Sequence, residues 1–222
     1  MTEPAPRRDG VPSALLALTE PLLTASALDF SPVPAPPDGG RRSAVLMLFG
    51  DDPAGSGFDV LLTERAHTLR SHAGQVSFPG GRLDPEDSGP IGAALRETFE
   101  ETGAEPAGIR VFGRIADLGI LPSRSSVAPI LGYWAEPSEV QAVDPAEVAR
   151  VLRVPLATLA DPGTRVRVAT PRGWVGPGFV VDDLLIWGFT GGVLATTLRL
   201  CELEVPWEHV PTVRLEDWQP RL

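Results

Sequence analysis

A chain of 222 residues, 43% hydrophobic and 22% charged, is long enough to bury one sizeable core without disulfide or metal staples. Its single cysteine, Cys201, excludes an intramolecular disulfide and a thiolate cluster, while a formal net charge of -10 argues against binding nucleic acid, which draws on clustered Lys and Arg. Apolar runs break before the 18 positions of a membrane helix and the first residues lack a secretory layout, so no membrane association and a cytoplasmic location are expected.

In chain order, residues 11–28 are spaced as a short amphipathic helix packed on the outside of the domain. Residues 31–40, Ser-Pro-Val-Pro-Ala-Pro-Pro-Asp-Gly-Gly, have the composition of a linker, stiffened by proline and ended by glycine. Runs rich in Val, Leu and Phe at 43–49 and 58–63, separated by turn residues, predict a hairpin. A short strand over 74–81 ends in Pro-Gly-Gly, an acidic loop follows over 82–87, and a helix is predicted from 89 to 102. Ser88 or Gly89 suits its cap, Pro90 its first turn, and Gly103 the left-handed position past its end. Strand-like runs then occupy 109–120, 127–134, 148–154, 165–169 and 179–187, and a final helix spans 190–202. Many strands with two or three helices predict an α+β domain with layered αβα packing.

On the helix over 89–102, Glu97, Glu100 and Glu101 fall within an arc of about 100°, so three carboxylates share one face. Ile91, Leu95, Phe99, Thr98 and Thr102 form the stripe expected to pack. Like charges four apart destabilise a helix by a few tenths of a kcal/mol, a cost that a divalent cation reverses. Carboxylate oxygens without Cys or His partners suit Mg2+ or Mn2+, although three glutamates alone suit a solvated acidic face equally well.

The wider run decides between these. Arg96-Glu97-Thr98-Phe99-Glu100-Glu101-Thr102-Gly103 resembles the second half of the Nudix box, Arg-Glu-aliphatic-x-Glu-Glu-x-Gly. Thr98 departs from the aliphatic position, and 14 residues rather than 13 separate Gly81 from Arg96, which leaves Glu86 or Asp87 to stand in for the first glutamate of the box. Upstream, the run from Leu61 to Gly81 carries Leu-Leu-Thr-x-Arg65-Ala, Arg70, Gly74 and Phe78-Pro79-Gly80-Gly81. It resembles the signature of coenzyme A pyrophosphatases, a subfamily that also tolerates the one-residue extension before Arg96. The similarity spans roughly residues 43–200.

The resemblance implies the Nudix fold, a mixed β-sheet sandwiched between α-helices, with residues 1–40 as an N-terminal helix and linker, 41–205 as the catalytic domain and 206–222 as a tail. It implies divalent-metal hydrolysis of coenzyme A, with Glu97 and Glu101 as direct ligands, Glu100 as a further ligand or water-orienting group, and Arg96 within the catalytic set. Arg65 and Arg70 are candidates to grip phosphates in a bidentate manner and His72 to hydrogen-bond one. Gly80 and Gly81 suit close backbone approach beside the metal helix. Glu147, in the acidic stretch with Glu136, Glu139 and Asp144, is a candidate general base. Trp174, Trp187, Trp207 and Trp218 are candidates to stack on adenine, with core packing the alternative for Trp187. ADP-ribose or another nucleoside diphosphate derivative is an alternative substrate, a non-catalytic nucleotide sensor is an alternative class, and the residues leave the choice between monomer and homodimer open.

Overall fold

The computed structural model describes residues 3–31, 36, 40–120, 125–206 and 210–218. The N-terminal helical region divides into α1 (Ser13–Thr24) and α2 (Ala27–Phe30), because Ser26 and Asp29 form a reciprocal capping box that starts a new helix. Leu15 and Leu22 of α1 are fully buried in the principal core, so this helix is built into the core rather than resting on its surface. The linker over 31–40 lies mostly outside the described residues.

β1 (Arg41–Asp51) and β2 (Phe58–Arg65) form the expected antiparallel hairpin, with Asp52 accepting from the Ala54 and Ser56 amides in the turn. The predicted strand over 74–81 is two: β3 (Val76–Ser77) pairs with β2, and β4 (Gly80–Arg82) pairs with β1. Pro79 lies between them with no N–H to offer a ladder, and its carbonyl accepts from Leu46 at 2.9 Å. α3 (Pro90–Thr102) follows with nearly the predicted bounds and ends on Gly103 at φ 75. The run over 109–120 also splits, into β5 (Ile109–Arg114) and β6 (Leu118–Ile120), both antiparallel to β7 (Ser125–Trp134).

β7 runs parallel to β1 from Arg41↔Ser125 to Phe49↔Tyr133, and β8 (Val148–Pro155) closes the other side along β2, so the main sheet is mixed. After the short α4 (Leu156–Ala160), a second sheet is made of β9 (Arg165–Ala169), β10 (Val175–Val181) and β11 (Leu184–Ile186). The predicted strand over 179–187 is therefore a hairpin, turned at Asp182, which takes φ 53. α5 (Gly188–Leu200) packs on β10, and β12 (Thr212–Arg214) adds a strand parallel to β9.

The two-residue period of β1 sends its apolar side chains to both faces of the sheet. Leu46 and Leu48 pack with Ile91, Ala93 and Ala94 of α3, whereas Met47 and Phe49 pack with Leu15 and Leu22 of α1 and Val193, Leu194 and Leu198 of α5. The expected α+β sandwich, a mixed sheet between helices, results. Among the described residues, no helix is long and apolar enough to cross a membrane.

Candidate active site

The helical period sets how deep each glutamate of α3 sits. Ile91, Ala94, Thr98 and Thr102 form the buried stripe; at 100° per residue Glu101 lies about 80° from Ile91, Glu97 about 120° and Glu100 about 180°. Exposure follows that order: Glu101 is 8% exposed, the Glu97 side chain 21% and the Glu100 side chain 54%. Phe99, expected in the packing stripe, is instead exposed, because β4 covers the Glu97 and Glu101 edge of the helix and leaves the other edge to solvent. Thr98 fits a position that favours an aliphatic residue because its buried hydroxyl donates to the Ala94 carbonyl at 2.6 Å.

Gly80 and Gly81 let β4 approach this edge. A Cβ on Gly80 would come within 2.6 Å of Val45 Cα, and a Cβ on Gly81 would lie closer than 3.0 Å to the Glu97 carboxyl group. The close approach brings the Gly80 N–H to Glu101 Oε2, to which it donates at 3.1 Å. Burial pushes the Glu101 carboxyl up to about 7; the Gly80 amide pulls against this, Glu97 adds to it, Arg65 opposes it and Glu147 adds again. Burial also raises Glu97, against the lowering effect of Arg96. Thus Arg65, Gly80, Gly81, Glu97, Glu101 and Glu147 belong to one electrostatic neighbourhood, although β2, β4, α3 and the segment before β8 supply them.

Arg96 is the hub of the acidic loop. Its Nε and Nη2 donate to the two oxygens of Asp87 at 3.0 Å each, Nη2 also to the Arg82 carbonyl at 3.1 Å, and Nη1 to Glu100 at 2.9 Å and toward Glu97 at 3.1 Å. The Asp87 hydrogen bonds raise Arg96 above its ordinary value and lower Asp87 below the usual carboxylate range. Of the two residues suggested to replace the first glutamate of the box, Asp87 is therefore the one engaged with the helix.

Arg70 and His72 lie exposed on the loop between β2 and β3, where His72 adopts φ 58 and its Nδ1 is 2.7 Å from Gln75 Oε1. Trp187 packs in the apolar cluster of the second sheet beside Trp174 and Trp218, while Trp207 lies outside the described residues. Among the described residues, no three acidic, His or Cys groups converge on one point as a ready ligand cluster. In this conformation Arg96 draws Glu97 and Glu100 together while Gly80 holds Glu101. The donor set nevertheless fits a hard cation: two carboxylates raised by burial sit on one helix edge with a third in their field, and an oxygen-seeking cation would relieve that repulsion.

Such an arrangement is a candidate carboxylate site for a hard cation. The NUDIX domain profile matches residues 40–171, and the chain belongs to the Nudix family. Its relatives include a protein of Photorhabdus laumondii described as the uncharacterized Nudix hydrolase NudL, 41% identical over 133 residues; these are 56% of this chain and 66%, just under two thirds, of that protein. The NudL protein of Escherichia coli K12 is 33% identical over 160 residues, 69% of this chain and 79% of its own length. Among solved structures, the Nudix hydrolase RenU of M. smegmatis shares the fold with a TM-score of 0.52 at 20% identity, over 77% of this chain and 91% of that one.

Proposed function

We propose that this chain hydrolyses the pyrophosphate bond of coenzyme A or a coenzyme A derivative, with Mg2+ or Mn2+ as cofactor. Water adds to one phosphorus and the bridging P–O bond breaks, giving 3',5'-ADP and 4'-phosphopantetheine, or its acyl form. The observation that carries this reading concerns Arg65. That residue occupies a fixed position of the coenzyme A pyrophosphatase motif and lies in the field of Glu101. Its Nε is buried without a hydrogen-bond partner among the described residues. A buried donor left unmade costs about 1 to 3 kcal/mol, which a phosphate oxygen drawn into the site offsets.

Glu97 and Glu101 are the proposed cation ligands, with Glu100 a further ligand or the group that orients the attacking water, and Glu147 the candidate base. When bound, the cation supplies neutralisation of charge developing on the phosphate oxygens. Arg96 holds the acidic loop against the helix and sets the rotamers of Glu97 and Glu100. Arg65, Arg70 and His72 are proposed to bind the phosphates, and Gly80 and Gly81 keep the backbone low beneath them.

Product analysis on a panel of coenzyme A, dephospho-coenzyme A and ADP-ribose tests the substrate. Loss of a charge-assisted contact to the 3'-phosphate is expected to slow the dephospho form about tenfold to a hundredfold in kcat/KM. Arg70→Ala should lower activity on coenzyme A and nearly erase its advantage. If Arg65→Ala and Arg70→Ala both keep the wild-type preference, neither arginine reads that phosphate; faster turnover of ADP-ribose overturns the coenzyme A assignment, and no turnover of any member favours a sensor.

Gly81→Ala probes the site from the other side. The added methyl group displaces the Glu97 carboxyl, so kcat is expected to fall roughly tenfold to a hundredfold, as for other small misplacements of a reacting group. Wild-type turnover in this variant would show that the Glu97 position is not needed.

A further inference from the structure

α3 carries the proposed cation ligands, yet its own sequence caps it poorly. The N-cap position is Gly89 at φ 85, which has no side chain to accept from the first turn, and Pro90 has no N–H. The acceptor comes from elsewhere in the chain: the Ile91 N–H donates to Glu3 Oε1 at 3.1 Å. The Glu3 carboxyl group stands directly over Gly89, where a Cβ would lie 2.8 Å from Glu3 Cδ, and Glu3 Oε2 is 4.0 Å from Arg114 Nη1. The arm behind Glu3 is itself fastened to the fold, since the Arg7 N–H donates to the Val111 carbonyl of β5 at 2.8 Å.

We infer that Glu3 is a positioning residue for the metal helix, a cap supplied by the N-terminal arm that holds the junction between the acidic loop and α3. The inference rests on the cation reading proposed above. Its physical path is short. Gly89 follows Asp87 by two residues, Asp87 grips Arg96 with both oxygens, and Arg96 donates to Glu100 and contacts Glu97. When the junction is released, Asp87 loses its fixed position, and Arg96 turns further toward Glu97 and Glu100, competing with the cation for their oxygens. A negative charge at the helix N-terminus also opposes the partial positive charge of the exposed amides there.

The test uses the full chain and measures Mn2+ binding without substrate, by calorimetry, beside the Mn2+ dependence of turnover. Glu3→Ala is expected to bind Mn2+ about fivefold to tenfold more weakly, the equivalent of losing about 1 to 1.4 kcal/mol of cap stabilisation. Glu3→Gln keeps an acceptor for the Ile91 N–H and should lose only about twofold to threefold. At saturating Mn2+ both variants should keep kcat within about twofold of wild type, since nothing they touch contacts substrate. Val213→Ala, in the small cluster of the second sheet, should lower the melting temperature without moving Mn2+ affinity.

Wild-type Mn2+ affinity in Glu3→Ala overturns the inference, as does an equal loss in the Ala and Gln variants, which would mark a through-space charge effect, or an equal loss in Val213→Ala. Should Glu3→Ala fail to fold, Glu3→Gln decides alone, and unchanged affinity there overturns it. If the wild-type chain binds no Mn2+, the cation reading falls and takes this inference with it. The other outcomes leave that reading standing.

Discussion

Glu101→Gln is expected to lower kcat by at least about a hundredfold while leaving the fold intact. The side chain is 8% exposed and its carboxyl is raised to about 7, chiefly by burial. Glutamine keeps the volume and still accepts from the Gly80 N–H, so packing and the β4 contact survive. The negative charge is what disappears. Because that charge is desolvated and repelled by Glu97 and Glu147, the variant should also melt higher than wild type at pH 8 in chelator. Loss of turnover with a gain in melting temperature is the signature of a residue kept for chemistry against stability. A variant that unfolds would show a structural role, and one that turns over normally would remove Glu101 from the cation site.

Helix α3 was largely legible in the sequence because its signals are local. Pro90 and Gly103 mark its ends through dihedral preference alone, and the 100° period places Glu101, Glu97 and Glu100 at increasing distance from the buried stripe. The same period misplaces Phe99, because only tertiary structure decides which edge of a helix β4 covers. The β1 and β2 hairpin was equally readable from two apolar runs around a turn. The partner switch between β3 and β4 was not, since residues 74–81 carry one continuous extended pattern and only the pairing of Pro79 with Leu46 reveals the break.

Within the candidate site, the motif singled out Arg65, Arg70, Gly80, Gly81 and the glutamates; the fold gathers Arg65, Gly80, Gly81, Glu97 and Glu101 in one neighbourhood, whereas Arg70 lies exposed on the loop between β2 and β3. What the motif could not give is the division of labour around Arg96. An arginine beside three glutamates is ambiguous in sequence, whereas five donor contacts to Asp87, Arg82, Glu97 and Glu100 fix it as the post that holds the loop. Glu3 had no signal at all. It lies 88 positions from the amide it caps, and no local pattern records so distant a pairing.

Without divalent cations, stability should fall as the pH rises from about 4.5 to 7, and added Mg2+ or Mn2+ should restore it most at the upper end. The Glu101 carboxyl has an ordinary value of 4.5 and is raised by burial to about 7 in the folded chain. Between those values the folded state holds a proton that the unfolded state has released, so unfolding is increasingly favoured as the pH rises. A shift of this size corresponds to roughly 3 kcal/mol at most, or roughly 6 to 12 °C in melting temperature for a chain of this length. Glu97 and Asp59, also raised by burial, act in the same direction. Asp87 and Asp183, lowered by Arg96 and Arg150, act in the opposite direction, but below their ordinary value of 3.8 and so outside this window. A cation on the ionised carboxylates favours the folded state by mass action, and protons compete with it below about pH 7. Melting curves at pH 5, 6, 7 and 8, in chelator and in roughly 5 to 10 mM Mg2+, measure both effects. The two sets of curves should diverge as the pH rises, and Glu101→Gln should flatten the chelator series. A melting temperature in chelator that climbs between pH 5 and 8 would mean that Glu101 is already ionised in the folded chain at pH 5, and protons would then not compete with the cation for it in this range.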